Sequence, residues 1–131
     1  MNKIGTIDIS QLNSPPEKLE FETAKFLLET GKDIVFIRPS SIPNQHRPDI
    51  LMDGIEWEIK CPIGKSPRTI ENNMRKAISQ SCFIIFDLRF VKLSEKQCIS
   101  QLEEQFHSRS KVKKLIIIKK SGEMIKLEKS H

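Results

Sequence analysis

Tyrosine is absent from the 131-residue sequence, tryptophan occurs once and cysteine three times. The cysteines, at positions 61, 82 and 98, are odd in number and form no C-x-x-C pair. This usage favours reduced thiols over a disulfide framework or a zinc site. The three histidines are scattered along the chain, which argues against a histidine metal cluster.

Long apolar runs are also missing. No stretch approaches the roughly 20 residues that a membrane-spanning helix needs, and the first five residues lack the apolar core of a signal peptide. There is no internal repeat and no low-complexity tract. We therefore expect a cytoplasmic protein without membrane contact, folded as a single domain over residues 1–131.

The charge of the chain favours a polyanionic partner. The formal net charge is +5, and from Arg109 onward eight Lys or Arg residues are opposed only by Glu123 and Glu128. Such an excess suits nucleic acid, although solubility alone also explains it. Motifs that read bases are absent, since there is no helix-turn-helix pattern, no zinc finger and no aromatic RNP-like strand.

The most informative segment is residues 47–60, which read RPDILMDGIEWEIK. Asp53-Gly54 predicts a two-residue hairpin turn, because both central positions of a type I′ turn need a positive φ. In that register Asp49 lies opposite Glu58. Side chains alternate along a strand. The alternation gives a core face of Ile50, Met52, Ile55, Trp57 and Ile59, and a second face of Asp49, Glu58 and Lys60.

Carboxylates that face each other across a hairpin repel, because directly opposed Cβ atoms are roughly 4.5–5.5 Å apart. A divalent cation offsets that repulsion, and Mg²⁺ takes one or two carboxylates while keeping positions for water and substrate phosphate. We therefore predict a metal-phosphate site in which Asp49 and Glu58 bind Mg²⁺ or Mn²⁺. Lys60 would contact a phosphate oxygen and an attacking water. The alternative is a charged, solvated hairpin face.

The segment Ser14-Pro15-Pro16-Glu17 predicts a helix start, with Ser14 as the N-cap and Glu17 closing a capping box. We expect the helix to end near Thr30, where Gly31 supplies a left-handed stop.

Glu20 falls on the apolar side of this predicted helix, together with Ala24 and Leu27, whereas Glu22 points elsewhere. Burying an unpaired charge is costly, so an inward Glu20 needs a partner. A position at the helix rim, in water, is the alternative.

The remaining elements are predicted from apolar periodicity and turn residues. A strand over residues 33–38 precedes the hairpin, and a helix opened by Ser66-Pro67 runs to about Gln80. Residues 83–88 form an unbroken apolar run, which indicates a central strand covered on both faces. A third helix capped by Ser94 and ending near Phe106 is followed by a hairpin of residues 113–119 and 123–127.

The second predicted helix has a polar face that includes Arg68, Asn72 and Arg75. Such faces are usually solvated, but if this one borders the site, these side chains become candidates for positioning substrate phosphate. His46, in the loop before the hairpin, is a further candidate phosphate contact, and a solvated loop histidine is the alternative.

Pro48-Asp49 followed by Glu58-Ile59-Lys60, and preceded by a helix with Glu20, resembles the PD-(D/E)XK nuclease pattern. The segments FETAKFL (21–27), RPDI (47–50) and WEIK (57–60), with residues 69–89, also look like the C-terminal tRNA nuclease domains of contact-dependent growth inhibition (CdiA) toxins. The resemblance implies an α/β (α+β) fold with a restriction-endonuclease-like αβββαβ core and a mixed central sheet. That core spans about residues 14–89, and a C-terminal helix and β-hairpin span about residues 94–131.

The same resemblance implies a metal-dependent endonuclease in which Asp49 and Glu58 are metal ligands. The backbone carbonyl of Ile59 would be a third ligand, Glu20 would act on the ion through water, and Lys60 would position the hydrolytic water. The resemblance favours Glu20 over Glu22 as the helix acid, although Glu22 stays open because it lies within the FETA segment. RNA, in particular tRNA, is the implied substrate, and a cognate immunity protein is an implied partner.

Other functions stay open at this point. CdiA toxin domains are normally the C-terminal part of very large exported proteins, whereas this sequence begins at its own Met. A role in host nucleic-acid metabolism is therefore an alternative to a toxin. A DNA nuclease of the resolvase or restriction type is the nearest rival. A non-catalytic nucleic-acid-binding module with the same fold, or an interaction protein whose charged hairpin face docks a partner, are the others.

Overall fold

The computed structural model describes residues 3–130, which form three α-helices and one mixed seven-stranded sheet. Met1 and Asn2, on which the signal-peptide prediction partly rested, and His131 lie outside the described residues. Within residues 3–130, no helix is both long enough and apolar enough to cross a membrane.

The strands of the sheet lie side by side in their order along the chain. The strands are β1 (Ile7–Asp8), β2 (Ile34–Phe36), β3 (Ile50–Met52), β4 (Ile55–Lys60), β5 (Phe83–Asp87), β6 (Lys114–Ile118) and β7 (Met124–Glu128). The helices are α1 (Lys18–Glu29), α2 (Thr69–Ala77) and α3 (Glu95–Ser108), and a short 3₁₀ turn spans Leu88–Phe90.

The sheet is mixed, because some neighbouring strands are parallel and others are antiparallel. β1 pairs in parallel with β2, and β5 pairs in parallel with both β4 and β6. The β2–β3, β3–β4 and β6–β7 pairs are antiparallel. The predicted fold class, the order of elements from α1 to the final hairpin, and the mixed sheet are confirmed. The short edge strand β1 was not predicted.

The sheet separates two apolar cores because successive side chains of a strand point to opposite faces. One core contains Ala24 and Leu27 of α1 together with Ile50, Trp57, Ile59 and Ile85. The other contains residues of α2 and α3 together with Ile84 and Phe86. β5 therefore contributes to both cores, which confirms the prediction of a central strand covered on both faces.

The predicted start of the first helix was wrong. α1 begins at Lys18, and its N-cap is Glu17, whose carboxylate accepts hydrogen bonds from the backbone amides of Leu19 and Glu20. Ser14 cannot serve because Pro15, the next residue, precedes another proline, and a residue before proline is disfavoured in the helical region. Gly31, with φ of 93°, follows the helix as predicted.

The predicted start of the second helix was also early. Ser66 forms a turn before the helix, in which its hydroxyl accepts from the Arg68 amide at 3.2 Å and its carbonyl from the Thr69 amide at 3.0 Å. α2 then begins at Thr69 and buries Ile70, Met74 and Ala77, the face that the sequence predicted.

Candidate active site

The β3–β4 hairpin has the predicted turn and register. Asp53 and Gly54 adopt φ values of 55° and 74°, as a type I′ turn requires. Ile50 pairs with Trp57 and Met52 pairs with Ile55. Ile50, Met52, Trp57 and Ile59 are buried in the α1-side core, so the face that the alternation predicted as core is confirmed.

Asp49 lies where the regular ladder between β3 and β4 ends. Its backbone amide donates to the Trp57 carbonyl at 3.0 Å, and its side-chain oxygen Oδ2 accepts from the backbone amide of Ile59 at 2.8 Å. The carboxyl group thus takes the place of a backbone acceptor beside β4. This contact fixes the side chain while leaving its second oxygen available to other groups.

Glu58 is an almost fully buried carboxyl group, with 3% of its surface exposed. Burial, followed by the nearby charge of Asp49, raises its pKa to about 8, although the ammonium group of Lys60 acts in the opposite direction. Lys60 Nζ lies 3.2 Å from Glu58 Oε2, so the two carboxylates and the lysine that the hairpin register predicted are together.

Gln80, just beyond the C-terminus of α2, contacts the same carboxyl group. When its side-chain nitrogen is turned toward Glu58, it donates to Oε1 at 3.0 Å and also contacts Oε2. The sequence analysis did not single out Gln80, because nothing in the local pattern connects the end of a helix with a strand more than 20 residues earlier.

Glu20 reaches the same cluster from the first turn of α1. Burial and the neighbouring charge of Asp49 raise its pKa to about 8, with a smaller contribution from Glu58. Glu22 instead forms an exposed ion pair with Lys25, at 2.9 Å. The structure therefore brings Glu20, and not Glu22, to Asp49.

The sequence analysis predicts a divalent cation at the carboxyl cluster. Within residues 3–130, no group of three or more His, Cys, Asp or Glu side chains has an arrangement that could hold a metal. Asp49 nevertheless lies close enough to Glu58 and to Glu20 to raise the pKa of each. A pair of mutually repelling carboxyl groups matches the one or two carboxylates that Mg²⁺ takes. Metal ligation by these residues and by the Ile59 carbonyl stays a prediction.

Of the residues predicted to contact substrate, one lines a cleft beside Asp49 and three do not. His46 is exposed and lines a cleft of about 450 Å³ that Asp49 and Gln80 also line. Arg68, Asn72 and Arg75 are exposed on the outer side of α2 and are not among the described residues that line this cleft or the larger one beside Asp49. Arg75 Nη2 lies 3.4 Å from Glu71 Oε1.

The sequence analysis missed two arginines near the acids. Arg38 and Arg47 line a cleft of about 920 Å³, together with Glu20 and Asp49. Arg47 has a simple sequence signal, because it precedes Pro48-Asp49 directly. Arg38 has none, because it reaches the cleft through the pairing of β2 with β3.

Cys61, one residue after Lys60, is a protonated thiol. Burial raises its pKa to about 12, and its sulfur lies 3.1 Å from Thr23 Oγ1. Because the thiolate is the nucleophilic form of cysteine, this residue is not available as a nucleophile at neutral pH.

Comparisons with known proteins give a family for the sequence and a relative with a similar fold. The model of a family described as the contact-dependent growth inhibition CdiA C-terminal domain matches residues 46–124, a segment that contains Asp49, Glu58 and Lys60. No curated protein matches the chain. The fold is similar to that of a chain in the CdiA-CT/CdiI toxin and immunity complex from Burkholderia pseudomallei, with a TM-score of 0.65 and 20% sequence identity. That similarity covers 95% of this chain and 100% of the other.

Proposed function

Since the chain belongs to the family of contact-dependent growth inhibition CdiA C-terminal domains, we propose that it is a toxin nuclease of the PD-(D/E)XK type that hydrolyses phosphodiester bonds in RNA. The observation that carries this proposal is the geometry of the hairpin. Asp49 lies beside β4, close enough to Glu58 to raise the pKa of that carboxyl group, and the Lys60 ammonium group lies 3.2 Å from Glu58.

Asp49 and Glu58 would hold the divalent ion, Mg²⁺ or Mn²⁺, with the Ile59 carbonyl as a further ligand and Glu20 acting through water. The ion supplies Lewis acidity, which lowers the pKa of water and offsets negative charge on the phosphate. Asp49 is already oriented for this role, because the Ile59 amide holds one of its oxygens at 2.8 Å.

Lys60 positions the attacking water in this proposal. Its ammonium group has three protons, and Glu58 Oε2 orients the group by accepting one of them at 3.2 Å. The remaining protons donate to the water oxygen and to a nonbridging phosphate oxygen. The water oxygen forms the new bond to phosphorus and releases one proton to bulk water, while the bond to the leaving ribose oxygen breaks and that oxygen takes up a proton from bulk water.

RNA, and tRNA in particular, is the proposed substrate because of the family, and the cytoplasm is where a tRNA nuclease would act. The net charge of +5 suits any nucleic acid and does not favour RNA over DNA. We also propose a cognate immunity protein as a partner, because the solved relative with the same fold comes from a toxin and immunity complex.

The test is a cleavage assay with tRNA and with plasmid DNA, each in Mg²⁺, in Mn²⁺ and in EDTA. We expect tRNA to be cut with either metal and to remain intact in EDTA. Lys60→Ala should lower the cleavage rate by roughly 10²-fold or more, the scale on which a positioned catalytic group contributes. Lys25→Ala is the matched control, since Lys25 forms an exposed ion pair with Glu22.

The other possible results of these assays identify different functions. Cleavage of plasmid alone would identify a DNA nuclease of the resolvase or restriction type. RNA binding without cleavage in either metal would identify a non-catalytic module. Cleavage that Lys60→Ala leaves unchanged would show that the active-site assignment is wrong.

A further inference from the structure

A large open cleft begins at the carboxyl cluster. It has a volume of about 920 Å³, and Glu20 and Asp49 are part of its lining. Its other walls are residues 12–17, before α1, and residues 36–42 with Gln45 and Arg47, from the end of β2 and the following loop. A substrate strand whose scissile phosphate sits at Asp49 therefore has a path along this cleft.

The cleft is lined by both acidic and basic side chains. Glu17, Glu20 and Asp49 are acidic, and Glu17 is occupied as the N-cap of α1. In their ionised forms these acids repel a polyanionic strand, so strand binding needs cations on the same surface. Arg38 and Arg47 are the basic residues of the lining.

Arg38 is held in place by the segment before α1. Its side-chain Nε donates to the backbone carbonyl of Gln11 at 2.9 Å, and its backbone amide donates to Gln11 Oε1 at 3.2 Å. Neither terminal nitrogen of its guanidinium group bonds to any group among residues 3–130. An arginine fixed through Nε presents its remaining donors in a planar fork, which matches a phosphate.

Arg47 is exposed, and within residues 3–130 its side chain has no hydrogen bond and no ion pair. The loop before it is ordered by its own contacts. Ser40 Oγ donates to Gln45 Oε1 at 2.5 Å and accepts from the Ile42 amide at 3.1 Å, and Asn44 adopts a φ of 63°. This loop brings Arg47 to the cleft two residues before Asp49.

We infer that Arg38 and Arg47 form a binding site for the backbone phosphates of the substrate strand, next to the scissile phosphate. The inference rests on the proposed function and deepens it. It places phosphate recognition in the cleft between residues 12–17 and 36–47, and not on the α2 face to which Arg68 and Arg75 belong. Arg75 already contacts Glu71, at 3.4 Å, and the α2 arginines are outside the described lining of the cleft.

The inference is tested by binding and cleavage with Arg38→Ala, Arg47→Ala and the double variant. Arg68→Ala and Arg75→Ala are matched controls, because they remove the same exposed charge from α2. Binding to labelled tRNA, single-stranded RNA and single-stranded DNA is measured by anisotropy in EDTA, which prevents cleavage. Thermal unfolding checks that each variant is folded.

Salt dependence gives the most specific readout. For a single strand, the slope of log K against log salt is about −0.7 per neutralised phosphate. We expect each cleft substitution to make the slope shallower by about 0.7, and the double variant by about 1.4. In cleavage assays KM should rise more than kcat falls, because both arginines bind parts of the strand that do not react. The α2 controls should keep the wild-type slope.

The outcomes separate this inference from the proposed function. A folded double variant with the wild-type slope and KM would overturn the inference. The nuclease proposal would be unaffected, because Lys60→Ala tests it separately. The inference also fails if Arg68→Ala or Arg75→Ala, and not the cleft substitutions, makes the slope of log K against log salt shallower. If wild type binds and cuts only DNA and the double variant loses that binding, the phosphate site is supported and the RNA assignment is wrong. A wild-type protein that binds no nucleic acid contradicts both.

Discussion

Thr23 Oγ1 donates a buried hydrogen bond to Asp87 Oδ2, at 2.6 Å, and so joins the middle of α1 to the end of β5. The two residues are 64 positions apart in the chain and neither is exposed to solvent. Arg89 Nη2 donates to the same carboxylate oxygen at 2.8 Å, and its guanidinium carbon lies 4.8 Å from the centre of the Phe26 ring. A buried charge thus has its partners within one network.

This network lies close to Glu20, the predicted helix acid. Thr23 lies almost one turn after Glu20 on α1, and β5 lies beside β4, which carries Glu58 and Lys60. Because the Thr23–Asp87 bond ties the helix to the sheet, we expect it to help hold Glu20 near Asp49. Among the described residues, neither Thr23 nor Asp87 lines the clefts that border Asp49.

Thr23→Val tests the positioning role. Valine keeps the shape of threonine but cannot donate to Asp87, and a hydrogen bond to a charged group contributes about 1.5–3 kcal/mol. We expect the free energy of unfolding, measured with urea, to fall by about that amount. The cleavage rate should fall severalfold at saturating substrate, because α1 no longer holds Glu20 at Asp49, while KM stays close to wild type.

Thr23→Ser is the control for this substitution, since it restores the hydroxyl group. It should recover the cleavage rate even where it does not recover all of the stability. If Thr23→Val lowers stability but leaves kcat unchanged under conditions where it is fully folded, the network is structural only.

The parts of the site that were predictable from the sequence are the local ones. Asp53-Gly54 determines the turn, the turn determines the register, and a period of two then places Asp49 and Glu58 opposite each other. The same reasoning gave the buried face of α2 and the Ser94 cap of α3, whose hydroxyl accepts from the Gln97 amide at 3.2 Å. Each of these features depends on residues that lie within a single helix or a single hairpin.

The features that were missed depend on distant parts of the chain. The Thr23–Asp87 bond, the contact between Gln80 and Glu58, and the anchoring of Arg38 by Gln11 each join separate elements. Residue type alone gives no register for such contacts. The error at Ser14 was of another kind, because two local rules competed there and the restriction imposed by Pro16 on Pro15 outweighed the serine cap.

The metal-free domain should lose stability as the pH rises. Glu20 and Glu58 have pKa values raised from 4.5 to about 8 in the folded state. Between these values the folded state keeps protons that the unfolded state has released, so the free energy of unfolding decreases with pH. Urea unfolding in EDTA at pH 5, 6, 7 and 8 should show this decrease. Mg²⁺ should stabilise the domain more at pH 8 than at pH 5, because protons compete for the carboxylates.

Glu58→Gln is the variant that separates this effect from the rest of the titration. It removes one carboxyl group with a raised pKa and hardly changes the shape of the side chain, so the free energy of unfolding should depend less on pH. Glu22→Gln, which alters an exposed ion pair, should leave that dependence as it is. An equally steep decrease in Glu58→Gln would show that other groups cause it.

The hairpin turn depends on the backbone freedom of Gly54. Its φ is 74°, and an added Cβ would meet no atom within 4 Å, so Gly54→Ala introduces conformational strain without a clash. We expect a loss of about 1–2 kcal/mol in the free energy of unfolding, measured with urea. Asp53→Asn is the comparison, because asparagine adopts positive φ and only the exposed pair with Lys32 is lost. Equal losses in the two variants would contradict this account of the turn.

Glu20 and Glu22 offer the sharpest comparison on the helix, because they are two residues apart and only Glu20 lies at Asp49. A group that acts on a metal through water typically changes affinity or activity by about 10–100-fold when it is removed. We expect Glu20→Gln to lower kcat by about that factor and to raise the Mg²⁺ concentration needed for half-maximal cleavage. Glu22→Gln should match wild type in both measurements. If the two variants behave alike, or if Glu22→Gln alone loses activity, then Glu20 is not the helix acid, and the raised pKa of its carboxyl group reflects burial beside Asp49 without a part in catalysis.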